Sequence, residues 1–193
     1  MKLIEPAVRL AYATPESLIP TAARASYQSY EGQDADSDTR LIRHFVRNDE
    51  SPLEFSFAAF DVTCSYATHV HFLRHRHLSQ SWLSARYTEQ LGFVLPPAMT
   101  DEYSCVVAQD AYRDAAECYE SLRQWKEKKQ DARYVMPQGA AVQGWIAGNA
   151  RAWLHTLNLR ASKKAMPETR LIALTMREEL SKVWPTVFGE ADA

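Results

Sequence analysis

Four of the six histidines, His69, His71, His75 and His77, lie within nine residues, with Arg74 and Arg76 among them. Further donors follow at once, Ser79, Ser81, Ser84 and Arg86, together with the rings of Trp82 and Tyr87. Three chemistries compete for such a stretch. His71 and His75 stand four apart, so on a helix both would face one metal ion. Yet no acidic residue lies between them, and a permanent guanidinium charge beside a divalent cation is unfavourable, which argues for no metal. A basic, solvated helix end is the plainest reading. The third is an anion site. Planar guanidinium groups grip phosphate bidentately, imidazoles add donors, and the rings can stack on a base or a flavin. The whole set suits a phosphorylated aromatic small molecule.

These side chains need a frame. The chain has 193 residues, 46% hydrophobic and 24% charged, which suits one globular domain over residues 1–193 with a core of its own. A net charge of -2 argues against binding nucleic acid by charge alone. Cys64, Cys105 and Cys118 are odd in number and form no CxxC pair, so neither a disulfide framework nor a four-thiolate zinc site is expected. No apolar run approaches the roughly 20 residues that cross a bilayer, and no secretory pattern opens the chain, so no membrane contact and a cytoplasmic location are expected.

The pattern predicts a strand over 6–13. A helix capped by Thr14 follows, with Pro15 in its first turn, running to about Tyr30 and stopping at Gly32. A helix over 36–48 precedes a strand over 54–64 with a phase slip near Ala58 and Ala59. A helix over 65–77 and a strand over 87–95 come next. The longest helix opens at Thr100, with Ala111, Ala115, Cys118, Leu122 and Trp125 at helical spacing. After a charged surface turn over 126–133, a short helix ends near Pro137. A strand over 140–147 and helices over 149–160 and 167–183 complete an α+β chain.

Arg74-His75-Arg76, seven residues, Ser84 and then Arg86-Tyr87 resemble the RHR-x7-S signature of flavin-dependent thymidylate synthases. The surrounding order agrees. Residues 22–30 (AARASYQSY) are similar to the family's A-x-R-x-(C/S)-Y-x-S segment, and Ser51-Pro52-Leu53-Glu54 resembles its S-x-L-E stretch. Ala132-Arg133-Tyr134-Val135-Met136-Pro137 resembles A-R-x-x-L-P. Asn149-Ala150-Arg151, His155 and Leu159-Arg160-Ala161 resemble N-x-R-x3-(H/N)-x3-L-R-A, and Glu168 and Arg170 match the tail. The actinobacterial branch is the most similar, at His77 and Ser81.

The resemblance implies the family's α+β fold and a homotetramer with active sites shared between subunits. It implies transfer of a methylene group from methylenetetrahydrofolate to C5 of a uridylate, dUMP or UMP, with hydride from reduced FAD recharged by NADPH. Ser51, Arg74, His75, Arg76, Asn149, Arg151 and His155 would touch FAD, with Trp82 at a position that normally reaches both ligands. Arg74, Ser84, Arg86, Arg133 and Arg160 would hold the nucleotide. Arg160 beside the uracil N3 and O2 would favour an enolate-like ring and make C5 nucleophilic. Ser84 lacks a recognisable base and orienting group, so a hydride from flavin, rather than a serine nucleophile, is the expected logic.

Several family positions have changed. Asp49 and Phe55 replace histidines, His71 replaces Gln or Glu, Trp82 replaces Glu or Gln, and Lys164, Met166 and Pro167 interrupt the tail. The phosphate-gripping arginines are kept, so the changes suggest altered substrate choice: a UMP C5-methylase of nucleoside-antibiotic biosynthesis, with His71 or Ser81 meeting the 2′-hydroxyl. Strict dUMP methylation, an inactive paralogue and an RNA-binding module are the alternatives.

Overall fold

Alternation along β2 (Phe57–Ser65) sends Ala58, Phe60, Val62 and Cys64 to one face, where all four are fully buried. The computed structural model describes residues 1–31 and 33–189. Around β2 the antiparallel sheet runs β1 (Ala7–Ala13), β2, β4 (Ala141–Asn149), β3 (Ser79–Trp82). The buried face carries the core, built with Ile146, Trp153, Leu157, Ile172, Met176 and Leu180 from the sheet and the helices against it. The other face leaves Trp145 about half exposed.

The helices over it are α1 (Leu18–Tyr27), α2 (Ala35–Asn48), α6 (Ala150–Arg160), α7 (Pro167–Val183) and the short α8 (Pro185–Phe188). The remaining ones are α3 (Tyr66–Phe72), α4 (Glu102–Gln124) and α5 (Lys129–Ala132). Local chemistry explains their ends. Asp34 and Ser37 form a reciprocal capping box on α2, Asp101 caps α4, and Asn149 caps α6. Among the described residues no helix is long and apolar enough to cross a membrane.

Several local expectations shift. Thr14 is not a cap: its hydroxyl accepts from Phe57 N–H at 2.8 Å and closes the β1–β2 ladder. The helix begins at Leu18, because Glu16 turns away to accept from Thr186 and Val187 N–H at α8. It ends at Tyr27, with Gln28 left-handed at φ 52°; Gly32, the expected stop, lies outside the described residues. The slip near Ala58 and Ala59 exists, but the extra residue sits on β1 between Leu10 and Tyr12, so β2 keeps its phase. The strand expected from residue 54 starts only at Phe57, which its phase leaves exposed, because Ser51–Phe55 form a 3-10 turn that also leaves Phe55 exposed.

The predicted strand over 87–95 is irregular chain with isolated bridges at Phe93, and the strand in this region is β3, paired with β4. In α4 the buried residues are Tyr112 and Tyr119, while Trp125 is 83% exposed, so the inner stripe is carried by tyrosines. The helix expected over 65–77 stops at Phe72. The Arg74-His75-Arg76 segment is thus a turn between α3 and β3.

Candidate active site

Both ends of α3 are anchored. At its start Ser65 caps the helix, accepting from Thr68 N–H, and the buried Glu168 of α7 accepts from both the Ser65 N–H and hydroxyl. Beyond its end His75 turns inward and is only 7% exposed, whereas Arg74 and Arg76 on either side are exposed. Arg160, the last residue of α6, donates from Nε to His75 Nε2 at 2.8 Å and from Nη2 to the His71 carbonyl at 3.0 Å.

That geometry sets the imidazole's state. Arginine has no acceptor, so His75 Nε2 must accept; burial, with Arg160 and His155 nearby, pushes its pKa from 6.5 down to about 4. The single proton is then on Nδ1, which donates to Thr156 Oγ1 at 3.2 Å. Arg160 is held by two neutral acceptors and has no carboxylate partner among the described residues. Nor does a carboxylate pair with Arg74, Arg76, Arg86 or Arg133 among the described residues. Burial pulls the Arg160 pKa below its ordinary value, yet a guanidinium stays charged.

A cleft of about 440 Å³ opens beside α6, lined by Asp49, Glu54, His77, Asn149, Arg151 and His155. An adjoining cleft of about 200 Å³ shares His77 and His155 and is bounded by Arg74, His75, Arg76 and Thr156. Six residues expected at a flavin, Arg74, His75, Arg76, Asn149, Arg151 and His155, thus line these two clefts, and Ser51 opens the short turn that carries Glu54. Arg151 is committed there. It grips Asp49 through Nε and Nη2 at 2.9 and 3.0 Å and Glu54 through Nη1 at 2.9 Å. Those bonds hold the Asp49 carboxyl below its ordinary range.

A third cavity, of about 390 Å³, holds Tyr66, His69, Trp82, Ser84, Arg133 and Val142, and shares no lining residue with the other two. It lies at the opposite end of β4: Val142 and Asn149 are about 23 Å apart at roughly 3.3 Å per strand residue. Within one chain Ser84 and Arg133 line this cavity, Arg74 lines the second cleft and Arg160 lines none of the three, so the residues expected to hold the nucleotide do not gather around one of these cavities. Trp82 falls with Ser84, not with the flavin group. Its indole N–H donates to Gln80 Oε1 at 2.9 Å, and Gln80 Nε2 donates to the Phe72 carbonyl at 2.7 Å. Arg86 is exposed and lies 5.3 Å over the Tyr87 ring. His71 Nδ1 is 3.2 Å from Thr169 Oγ1, on the Arg160 side. Ser81 pairs with Trp145, opposite in face to Trp82 and the cavity.

Sequence reasoning missed three things. The Asp49–Arg151 clamp joins residues 102 positions apart, and only the departure at Asp49 signalled it. Thr156 carries no motif of its own. His69 was one histidine among four, and nothing in the spacing marked it as the one facing the third cavity.

Residues 9–186 match the family model described as thymidylate synthase complementing protein. A flavin-dependent thymidylate synthase of Mycobacteroides abscessus is 32% identical, over 91% of this chain and 79% of its own length. That of Mycobacterium tuberculosis is 31% identical, over 90% and 78%. The crystal structure of a UMP/dUMP methylase, PolB from Streptomyces cacaoi, bound with 5-Br dUMP, superposes with a TM-score of 0.89 at 28% identity, covering 97% of this chain and 95% of that one. The same enzyme bound with 5-Br UMP superposes at 0.84 with 26% identity, over 97% and 94%. The chain belongs to the thymidylate synthase complementing protein family, the family of the flavin-dependent thymidylate synthases.

Proposed function

We propose that this protein is a flavin-dependent methyltransferase acting at uracil C5 of a uridine monophosphate, dUMP, UMP or both. The observation that carries the reading is Arg160, seated on the neutral His75 beside the exposed Arg74 and Arg76, with its charge uncompensated. A guanidinium so placed stabilises negative charge spread over the uracil N3 and O2, and C5 becomes the nucleophile toward the methylene carbon of methylenetetrahydrofolate. Ser84 contributes a hydroxyl to nucleotide binding. Among the described residues no imidazole or carboxylate hydrogen-bonds it, so it is not activated as a nucleophile.

The residues present fit a flavin, taken here as FAD. Exposed, carboxylate-free Arg74 and Arg76 suit its pyrophosphate; Asn149, His155 and His77 line the adjoining cleft. Arg151 would act through the shape of Asp49 and Glu54 rather than as a phosphate grip. When bound and reduced by NADPH, FAD would supply the hydride that completes the methyl group. The two separated half-sites support assembly of a complete site from more than one copy, in a homotetramer.

A UMP-accepting enzyme is favoured over strict dUMP methylation by the similarity to a methylase with both complexes. Tritium release from [5-³H]UMP and [5-³H]dUMP, with reduced FAD and methylenetetrahydrofolate, tests this. Release from both is expected. Release from dUMP alone restores plain thymidylate synthesis, and release from neither overturns the reading.

A further inference from the structure

His69 lies one helical turn after Tyr66, with ring centroids 5.3 Å apart, and meets Trp82 edge-on at 4.5 Å. Trp82 is itself fixed by Gln80, and Gly144 gives it room: a Cβ there would stand 2.5 Å from the indole. The imidazole is thus held between two rings, and its Nδ1 is buried without a hydrogen-bond partner among the described residues. Nothing in the fold uses this atom, and an unpaired buried polar atom is costly unless something else meets it. The His69 side chain is nonetheless part of the wall of the cavity of about 390 Å³ that also holds Ser84 and Arg133.

We propose that His69 is a specificity-determining residue, positioned by Trp82, whose imidazole pairs with a neutral polar group of the bound uridylate. That group is a sugar hydroxyl or an edge of the base. The inference rests on the uridylate reading above. Burial lowers the His69 pKa, so the ring is neutral and offers one donor or one acceptor, which suits a hydroxyl or an amide edge rather than phosphate. Phosphate is left to the guanidinium groups. The other candidates for a 2′-hydroxyl are less suitable, because His71 is engaged with Thr169 and Ser81 faces the other side of the sheet.

The test uses His69→Ala and His69→Asn in the flavin-loaded enzyme, with Kd and KM for UMP and dUMP, kcat, flavin content and melting temperature. His69→Ala should raise Kd about 5- to 100-fold with kcat and flavin content kept, and His69→Asn should recover part of the loss. A loss confined to UMP assigns the 2′-hydroxyl. An equal loss on both assigns a group they share. Unchanged affinity for both nucleotides overturns the proposal, as does a loss that tracks a fall in melting temperature and is not rescued by Asn. Wild-type enzyme that binds neither nucleotide overturns the functional reading itself, which separates the two failures.

Discussion

A guanidinium held by an imidazole nitrogen and a carbonyl, with no carboxylate beside it, keeps its charge for an incoming ligand. That is the state of Arg160. Arg160→Ala is expected to lower kcat/KM by about 100-fold or more, the scale of losing a preorganised charge at a developing anion. Folding should be affected far less, because the side chain is only partly buried. Tritium release from C5 and a thermal melt check this, and near wild-type turnover in that variant would sink the role given to it. At this scale much was readable through the resemblance: the Arg74-His75-Arg76 run and the distant Leu159-Arg160-Ala161 belong to one family signature, which places them at one site. The commitment of Arg151 to Asp49 was not readable, since a bidentate pair depends on where two backbones meet.

Elements hold these residues in place. The carboxylate of Glu168 takes two hydrogen bonds at the start of α3, fully inside the protein. Glu168→Ala would leave the Ser65 N–H unpaired, at a cost of about 1.5–3 kcal/mol, the range for a bond to a charged acceptor. A lowered urea midpoint with unchanged slope would register it; an unchanged midpoint would show that water replaces the carboxylate. An apolar face made α2 legible in advance, alternation made β2 so, and Pro167 marked the start of α7. The failures share a cause. Thr14 and Glu16 carry helix-start chemistry but are used by β2 and α8, and residues 87–95 have strand-like composition but find no full-length partner. Local preference yields wherever a tertiary hydrogen bond competes for the same atoms.

Over the whole molecule, the separation of the two half-sites predicts complementation. Arg160→Ala and Arg133→Ala, each inactive alone, should recover partial activity when co-assembled, because mixed oligomers contain sites with both arginines. No recovery in verified mixed oligomers would mean that the two residues serve one site within a single chain. Stability should also follow His75. With its pKa lowered from 6.5 to about 4, the unfolded chain takes up the proton first as pH falls. Its contribution is therefore complete above about 6.5 and is lost progressively down to about 4. Melting temperatures across that window should fall more steeply for the wild type than for His75→Asn; identical slopes would contradict a neutral, buried His75.

Residue types and their spacing pointed on their own to a phosphorylated aromatic small molecule as one of three readings, because that chemistry depends on donor identity more than on exact position; the resemblance to flavin-dependent thymidylate synthases narrowed it to a uridylate and singled out the arginines that would hold it. Only the tertiary structure decided which of those groups are free and which are neutralised. It also decided which histidine is buried and which is orphaned, and that Ser84 and Arg133 line a different cavity from Arg74 and His75. Those outcomes depend on distances between segments remote in sequence, and such distances exist only once the sheet and its helices have packed.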